Sequence, residues 1–575
     1  MSVSLDDVSF TYIRSDVPAL KNLNLSLKEG KITAIIGETG SGKTTLSLTL
    51  NGIVPKYMTG KLTGEVTVAG QRVREHETEE LAPYVGMMFD DPDRQIVALT
   101  VMEDVIFGPA NLGLPREEIF ERAKYALDAV RLVGYETRNP RTLSGGEQQS
   151  LSIAGVIAMR PKIMVMDEPI CMLDPVGKER VLSVIEDLKK DFKMTIIITE
   201  SGTDVERVAA FADEIVLLQD GEVKAQGGAR DIFGNRELLK GTRLRVPQVT
   251  ELALLMGEKD TSRLPISLEE GIEYFSKKMK GKKVSRYKRE KKSIKKGKPI
   301  IECENLHHVY PGPPPYEALR GISFKIYEGE MVGLIGQNGS GKTTLSYHLV
   351  GLLKATNPDS SLIVAGVDAN DEETTVNDLT KHINYLFQNP ENQLFSDTVI
   401  HEMEYGLRNQ GLSDEEIARK AEEAMKLFGI EKYRDDFIEP LPLNVKTFLG
   451  TASLVALEPR ILIIDEPTTG LDWESSVMIM RILRDLNSKG MTVIIISHNM
   501  ELISEYVERV MVIKEGLLLM DGPTREIFSQ PEKLKEAWLS PCQITLLGQR
   551  MSKFGIPQDI LTVPEMHEIM SRHMK

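Results

Sequence analysis

The chain has 575 residues, of which 41% are hydrophobic and 27% charged, and its formal net charge is −15. This length exceeds what one hydrophobic core can hold, so we expect two to four domains. No apolar run approaches the roughly 20 residues that span a bilayer, and the acidic excess argues against general nucleic-acid affinity. MSVSLDDVSF at the start predicts no secretion signal. Three widely separated cysteines argue against disulfide frameworks and cysteine-rich metal sites and fit a reducing cytoplasm.

Two motifs occur twice at nearly the same distance. IIGETGSGKTTL around Lys43 returns as LIGQNGSGKTTL around Lys342, 299 residues later. IMVMDEP with Asp167 returns as ILIIDEP with Asp465, 298 residues later. Recurring motifs at a constant offset indicate an internal duplication.

Later segments repeat as well. TIIITES with Glu200 matches VIIISHN with His498 at an offset of 298, and VPQVTELALLMG from Val246 resembles CQITLLGQRMSKFG from Cys542. The two halves therefore lie at about 1–275 and 299–575. The predicted domains are two main domains at 1–240 and 299–535, two tail extensions at 241–275 and 536–575, and a linker at 276–298.

The linker is strongly basic. Residues 277–298 contain thirteen Lys or Arg and one acid, Glu290. A solvated, self-repelling linker explains this composition, and a strap for an anionic lipid surface or RNA is the alternative. The single aromatic residue, Tyr287, gives little support for base stacking.

Each half contains a phosphate-binding loop (P-loop). An apolar run precedes Gly-x-x-x-x-Gly-Lys-Thr, and a helix-compatible segment follows it. We expect the loop amides to cradle the phosphates of ATP, Lys43 and Lys342 to contact the β- and γ-phosphates, and Thr44 and Thr343 to ligate Mg²⁺. The predicted loop residues are Gly37, Glu38, Thr39, Gly40, Ser41, Gly42, Lys43, Thr44 and Thr45, and Gly336, Gln337, Asn338, Gly339, Ser340, Gly341, Lys342, Thr343 and Thr344.

An apolar run that ends in Asp-Glu follows at nearly the same distance from both loops. Asp167 and Asp465 are predicted to hold Mg²⁺, and Glu168 and Glu466 are placed to polarise the attacking water. A single such strand is a weak signal, whereas its repetition in register is strong.

LSGGEQ at 143–148 resembles the signature peptide of the ABC ATPase family. The resemblance covers nearly the whole chain. It implies two P-loop α/β domains in tandem, each with an antiparallel β subdomain, a helical subdomain and a small tail domain. It also implies that ATP lies between one domain's P-loop and the other's signature residues, here Ser144, Gly145, Gly146 and Glu147. Tyr12 and Tyr310 match the position where the family stacks adenine.

The halves differ at these positions. The offset places LPLNVK at 441–446 opposite the signature, where Pro442 lacks an N–H and Leu443 replaces a glycine. The family's glutamine, which contacts magnesium and water, is Gln388 in the second half but Asp90 in the first.

The family's switch histidine is His498 in the second half, and the offset of 298 matches it with Glu200, whose carboxylate would repel a triphosphate. We therefore expect one hydrolysing site, in which Gln388, Asp465, Glu466 and His498 face the first half's signature. The other site would bind nucleotide and hold the halves together. The alternative is that both sites hydrolyse ATP and that the differences between them are neutral drift.

FQNPENQLFSDTVIHEMEYGLRNQGL and FDDPDRQIVALTVMEDVIFGPANLGL resemble the ATPases of energy-coupling-factor and cobalt importers. This resemblance implies a peripheral protein on the cytoplasmic face of the cell membrane, with a polytopic transport subunit and a substrate-binding membrane component as partners. The two nucleotide-binding halves would pair with each other within one chain. No specific nucleic-acid partner is expected. A groove beside the glutamine loop would receive a coupling helix from the membrane partner. Asp93 and Glu391 in this groove would suit basic residues on that helix. An amphipathic helix follows in each half, and its apolar residues can be explained as ordinary subdomain core. These residues are Ile119, Ala123, Ala126 and Val130 in the first half and Ile417, Ala421, Ala424 and Phe428 in the second.

The main alternative is a soluble tandem ABC ATPase that acts on ribosomes. The broken second signature and the two tail repeats argue against it. A non-enzymatic regulatory pair is disfavoured by Glu466 and His498 opposite an intact signature. Cobalt, nickel, vitamins and their precursors are indistinguishable as solutes.

Overall fold

The computed structural model describes residues 2–13, 15–171, 173–202, 204–242, 244–284, 297–312 and 314–573. The chain divides into two compact units, unit 1 (Met1–Lys277) and unit 2 (Lys278–Lys575). The basic linker, with Tyr287 and Glu290, lies largely outside the described residues. None of the described helices is long and apolar enough to span a bilayer.

Unit 1 contains two sheets. Short runs of Ile, Val and Met form its fully buried central strands, as expected for parallel strands covered on both faces. The strands are β1 (Val3–Tyr12), β2 (Leu20–Leu27), β3 (Ile32–Ile36), β4 (Gly60–Val68), β5 (Gln71–Arg72), β6 (Val85–Met88), β7 (Ile163–Met166), β8 (Thr195–Glu200), β9 (Glu214–Gln219) and β10 (Glu222–Gly227).

The first sheet of unit 1 is antiparallel, in the order β2-β1-β4-β5. The second has the order β10-β9-β3-β8-β7-β6 and is parallel except for its edge strand β10. The helices are α1 (Lys43–Leu50), α2 (Ile53–Lys56), α3 (Thr78–Leu81), α4 (Val101–Asn111), α5 (Arg116–Ala129), α6 (Gly145–Ala158), α7 (Pro175–Phe192), α8 (Val205–Phe211), α9 (Ala229–Gly234), α10 (Arg236–Leu239), α11 (Gln248–Leu255) and α12 (Leu268–Lys278).

Unit 2 repeats both sheets, in the orders β12-β11-β14-β15 and β16-β17-β18-β13-β19-β20. Its strands are β11 (Pro299–Tyr310), β12 (Tyr316–Tyr327), β13 (Met331–Ile335), β14 (Ser361–Val364), β15 (Val367–Asp368), β16 (Ile383–Leu386), β17 (Ile461–Asp465), β18 (Thr492–Ile496), β19 (Arg509–Lys514) and β20 (Leu517–Pro523).

The helices of unit 2 follow the same plan, and the expected pair of α/β domains in tandem is confirmed. They are α13 (Lys342–Leu349), α14 (Val376–Thr380), α15 (Val399–Asn409), α16 (Asp414–Phe428), α17 (Leu443–Ala456), α18 (Trp473–Ser488), α19 (Met500–Tyr506), α20 (Thr524–Phe528), α21 (Pro531–Glu536), α22 (Gln543–Arg550) and α23 (Val563–His573).

The helical part of each unit is built from three helices, α4–α6 and α15–α17, whose apolar side chains form one core with a face of the large sheet. Helix α16 begins with the predicted capping box, in which Ser413 and Glu416 satisfy each other's backbone amides. Ile417, Ala421, Ala424 and Phe428 are buried in the core, and the equivalents of the last three in unit 1 are buried as well, whereas Ile119 is half-exposed. These residues stabilise the subdomain and are not available to a partner.

Candidate nucleotide-binding and hydrolysis sites

Both P-loops connect the central strand of the large sheet to a helix, β3 to α1 and β13 to α13. Gly42 and Gly341, directly before the helices, have φ angles of 101° and 105°. A Cβ atom there would lie 2.5 Å from the carbonyl oxygen of Ala19 or 2.7 Å from that of Ala318, so only glycine fits. The loops therefore expose backbone amides at a helix start, as anion binding requires.

The P-loop lysines are buried inside their loops. The ammonium of Lys43 donates hydrogen bonds to the carbonyls of Gly37 and Glu38, at 2.9 and 2.8 Å. Lys342 donates equivalent bonds to its own loop, both 2.9 Å long. A bound phosphate would compete with these carbonyls for the same ammonium.

The buried hydroxyls of Ser41 and Ser340 have no hydrogen-bond partner among the described atoms. Each lies close to the first glycine of its loop, Gly37 or Gly336. Buried hydroxyls are almost always satisfied, so these two donors fit an anionic ligand in the loop. The residues of both loops therefore suit a nucleotide triphosphate.

The threonine after each P-loop lysine contacts the aspartate of the neighbouring strand. Thr343 donates to Asp465 Oδ2 at 3.3 Å, and the Thr44 hydroxyl is hydrogen-bonded to Asp167. Carboxylate and hydroxyl oxygens are hard ligands, the type that Mg²⁺ prefers, so both pairs fit this ion. Burial raises the pKa of Asp167, and burial raises that of Asp465 to about 6.

Each aspartate accepts a hydrogen bond from a different neighbouring strand. In unit 2, the hydroxyl of Tyr385 on β16 donates to Asp465 Oδ2 at 2.6 Å. In unit 1, the donor to Asp167 is the hydroxyl of Thr199, on β8 at the opposite side. Beyond the shared threonine contact, the two units thus hold equivalent carboxylates by donors from opposite sides.

Glu466 is in direct contact with His498. The two side chains are buried, with His498 Nδ1 2.8 Å from Glu466 Oε1, and the His498 amide donates to Oε2 at 3.3 Å. Burial acts to raise the pKa of Glu466, but the charge and hydrogen bonds of His498 hold it below the usual value.

Glu168, the equivalent glutamate of unit 1, has no charged hydrogen-bond donor comparable to His498 in the described structure. The hydroxyl of Ser201 donates to Glu168 Oε2 at 3.0 Å. Burial raises the pKa of Glu168 to about 8, because Lys43 compensates only partly and the carboxyls of Glu200 and Asp167 are close. The pKa values of the two equivalent glutamates are therefore shifted in opposite directions.

The predicted match between Glu200 and His498 is wrong. Ile163 and Ile461 occupy equivalent positions, and they pair with Thr195 and Thr492 respectively, an offset of 297 in this strand. Ser201 is therefore the counterpart of His498. Glu200 lies one position earlier with a fully buried carboxyl, which accepts the amides of Gly202 and Asp204 at 3.2 Å.

The glutamine position keeps the predicted offset. Strands β6 and β16 pair with β7 and β17 in the same register, which places Asp90 and Gln388 at equivalent exposed positions two residues beyond each strand. Asp90 is close enough to Asp167 to raise the pKa of that carboxyl further. The role of Gln388 at the metal stays a prediction.

Ser144, Gly145, Gly146 and Glu147 form the start of α6. The Ser144 hydroxyl caps the helix by accepting the amide of Glu147, whose carboxylate accepts the amide and hydroxyl of Ser144, both at 2.9 Å. Ser144 is exposed, so this helix start is open to an anion.

In unit 2, α17 begins after Pro442 without a side-chain cap. The side chain of Leu443 packs over Gly470, at 2.7 Å from the position of a Cβ there. Lys446 is buried and forms an ion pair of 2.7 Å with Glu391, in the turn after the glutamine position. Glu391 is thus already neutralised, and the side chain of Asp93 lies outside the described part of the structure.

Comparisons with known proteins agree with this site. The sequence profile of the ABC transporter family matches residues 20–171 and 319–469. A protein of Caldanaerobacter subterraneus subsp. tengcongensis named as an ABC transporter ATP-binding protein is 35% identical over 96% of each chain. A similarly named protein of Methanosarcina acetivorans is 36% identical over 99% of this chain and 93% of its own.

The chain belongs to the ABC transporter family. It is an ATP-hydrolysing protein with two ABC domains in tandem. Among solved structures, CbiO1 of Clostridium perfringens, described as part of the ABC transporter complex CbiONQ, is 31% identical. That match covers 41% of this chain and 94% of CbiO1, with a TM-score of 0.38.

The two tyrosines that match the family's adenine position lie beside the P-loop helices. The hydroxyl of Tyr12 is hydrogen-bonded to Thr45 Oγ1 at 2.9 Å, and that of Tyr310 to Thr344 Oγ1 at 3.3 Å. Both rings are half-buried, so adenine stacking on them stays a prediction.

Both ABC domains expose apolar residues at equivalent positions near the glutamine loop. Val97 and Phe395 are 64% and 63% exposed, and Phe107 and Tyr405 are 55% and 49% exposed. In unit 2 the two rings are in edge contact, with centroids 4.6 Å apart. A contiguous exposed apolar surface, such as these two rings form in unit 2, is typical of an interaction site.

A buried carboxylate holds the loop that presents these residues. Asp104 Oδ1 accepts the amides of Val97 and Ala98 at 2.9 and 3.1 Å. Glu402 Oε2 accepts the amides at the equivalent positions of unit 2, at 3.3 and 3.0 Å. The sequence analysis missed both carboxylates, although a repeated acid at the same helix position was a usable signal.

Proposed function

We propose that this ABC ATPase is the energy-coupling subunit of a membrane importer of the energy-coupling-factor or cobalt type. Its cargo would be a vitamin, a vitamin precursor or a transition-metal ion, and its partners a polytopic transport subunit and a substrate-binding membrane component. It would act at the cytoplasmic face of the cell membrane. The names of the relatives as transporter ATP-binding proteins support the transport role.

The observation that carries the proposal is the repeated apolar surface beside the glutamine loop. The same two positions are exposed and apolar in both units, although the surrounding loop sequences have diverged. Asp104 and Glu402 fix the loop backbone at each of them. An apolar segment of a membrane partner would bury such a surface in each unit.

We further propose that the units pair within one chain and form one hydrolysing and one degenerate ATP site. The hydrolysing site would combine the P-loop of unit 2, with Lys342 and Thr343, and the helix start at Ser144. The other would combine the P-loop of unit 1 with the start of α17, where Pro442 offers neither an N–H nor a hydroxyl.

Within the hydrolysing site, Glu466 would accept a proton from the attacking water and His498 would orient this carboxylate. Magnesium, when bound, would neutralise charge on the phosphates, and Asp465 with Thr343 would hold it. In unit 1, Ser201 supplies only a neutral hydroxyl to Glu168. Nucleotide there would serve to hold the closed pair together.

Affinity capture of the tagged full chain from detergent-solubilised native membranes and from cytosol tests the transport role. Mass spectrometry should identify one or two small polytopic membrane proteins in the membrane sample. A variant with Phe395→Ala and Tyr405→Ala should recover less of them, with equal ATPase activity as its control. Ribosomal proteins without any polytopic protein would contradict the importer proposal.

A further inference from the structure

Three aromatic rings in unit 2 form a cluster next to Asp465. Tyr347 lies on α13, Tyr385 on β16, and Phe387 directly after β16. Ring centroids are 5.0 Å apart for Tyr385 and Phe387, 5.7 Å for Tyr347 and Tyr385, and 6.4 Å for Tyr347 and Phe387. The first two contacts are edge-to-face, the geometry that aromatic pairs prefer. We call these three residues the aromatic triad.

The triad touches the residues that fit magnesium. The buried hydroxyl of Tyr385 donates to Asp465 Oδ2 at 2.6 Å, and Thr343 donates to the same oxygen at 3.3 Å. A short hydrogen bond to a buried carboxylate fixes its rotamer and satisfies one of its oxygens. Outer contacts of this kind orient the ligands of protein metal sites.

The triad also reaches two other parts of the site. Tyr347 lies one helical turn after Thr343 on α13, and Phe387 directly precedes Gln388. The rings therefore form one packed unit that connects the P-loop helix, the aspartate and the glutamine loop.

Unit 1 has no such triad. Leu48, Met87 and Phe89 occupy the equivalent positions, so only one of the three rings is present and no hydroxyl reaches Asp167 from β6. There the Thr199 hydroxyl on β8 takes over the contact. Its equivalent in unit 2 is Ile496, which has no polar atom.

We propose that Tyr385 is a positioning residue that holds Asp465 for magnesium and, through the aromatic triad, ties this carboxylate to the loop of Gln388. The assignment of turnover to unit 2 rests on the proposed function. The expected effect of Tyr385 on metal binding is independent of the proposed function, because it follows from the contact between Tyr385 and Asp465.

The test measures Mn²⁺ binding by electron paramagnetic resonance, with ATP present, in the full chain. A background with both Glu168→Gln and Glu466→Gln removes the candidate base of each unit, so the measurement does not depend on which unit turns over. Tyr385→Phe, which keeps the ring and removes the hydroxyl, should weaken Mn²⁺ binding at one site about 10-fold, the lower end for outer-shell changes. The melting temperature serves as the folding control.

Two further variants separate the hydroxyl from the ring. Adding Ile496→Thr to Tyr385→Phe supplies a hydroxyl from β18, as in unit 1, and should recover most of the affinity. Tyr347→Leu keeps the hydrogen bond and should leave Mn²⁺ affinity within about 2-fold. Unchanged Mn²⁺ binding in Tyr385→Phe overturns the proposal, and so does a folded double variant that stays weak.

Steady-state turnover, with Glu466 intact, distinguishes this proposal from the proposed function. Tyr385→Phe should raise the Mg²⁺ concentration for half-maximal activity, with kcat at saturating Mg²⁺ within about 3-fold of the unsubstituted protein. Thr199→Val, the matched change in unit 1, should leave that concentration unchanged. A shift only in Thr199→Val would contradict the assignment of turnover to unit 2, whereas the Mn²⁺ result would still decide the role of Tyr385.

Discussion

The two units share the strand order, the P-loop backbone and the contact between threonine and aspartate, yet differ in nearly every side chain that supports their Asp-Glu pair. Unit 2 supports Asp465 with a tyrosine and Glu466 with a histidine. Unit 1 supports the equivalent acids with two small hydroxyl residues and crowds them with a further carboxyl, Glu200. Backbone geometry thus survives duplication, whereas the direction in which the pKa of the glutamate shifts depends on a few replaceable neighbours.

Neutralising each glutamate in turn tests this difference between the units most directly. Glu466→Gln should lower steady-state ATPase activity at least about 100-fold, since a general base contributes 10²–10⁴-fold. Glu168→Gln should retain more than about half of the activity, because its partner is the neutral Ser201. Equal losses would show that both sites hydrolyse.

The helix starts of α6 and α17 give a second contrast. Ser144→Ala removes a hydroxyl that would contact the γ-phosphate and should lower turnover about 10-fold, the usual range for one charge-assisted hydrogen bond. Pro442→Ala, at the equivalent position, should change turnover less than about 2-fold. An equal effect of the two substitutions in the same ATPase assay would count against the proposed composite site.

Acid stability should also distinguish the units. His348 is fully buried, and its ring is 4.8 Å from that of His308, whereas unit 1 has Thr49 and Phe10 at these positions. Burial, with the charge of His308, lowers the pKa of His348 to about 4. The unfolded chain takes up the proton at a pKa of about 6.5, so this contribution to stability is complete above that pH and falls between pH 6.5 and 4.

At pH 5.5 we expect His348 to lower the free energy of unfolding by about 1 kcal/mol relative to pH 7.5. It can be measured by urea unfolding across this pH range, with unit 2 followed by a local probe. His348→Thr should flatten the pH dependence, and a slope unchanged by this substitution would rule out His348 as its source.

The smallest expected effect concerns the exposed apolar surface. Phe395→Ala and Val97→Ala should each change the free energy of unfolding by less than about 0.5 kcal/mol, because both side chains are largely exposed. The larger ring of unit 2 should matter more for capture of a membrane partner. A stability loss above 1 kcal/mol would reveal a structural role instead.

Local motifs predicted the architecture and the centre of each site. The P-loops and Asp-Glu strands are short peptides whose backbone geometry requires their own residues, such as Gly42 and Gly341. Tyr385 was missed because its partner, Asp465, is 80 residues away, and no local pattern indicates that contact. The duplication itself was the available signal, since Tyr385 and Met87 differ at an otherwise matched position.

The error at Glu200 has a different origin. TIIITES and TVIIISH consist entirely of Ile, Val and Thr before their last two residues, so the two segments resemble each other almost as well one residue out of register. Hydrogen bonding between strands admits no such slip, because a shift by one residue turns every side chain to the other face. Thr195 and Thr492 mark the true register, since each hydroxyl accepts the amide of the glycine before the central strand.

The change of offset from 298 to 297 lies between the start of α7 or α18 and the strand that follows. Lys193, directly after α7, has a φ of 51°, whereas the turn after α18 contains Gly490, with φ of 105°. A difference of one residue in length is thus absorbed at a helix end without disturbing the strands. Chimeras that exchange TIIITES and TVIIISH as whole strands, cut at these turns, should keep the core intact and carry His498 into unit 1.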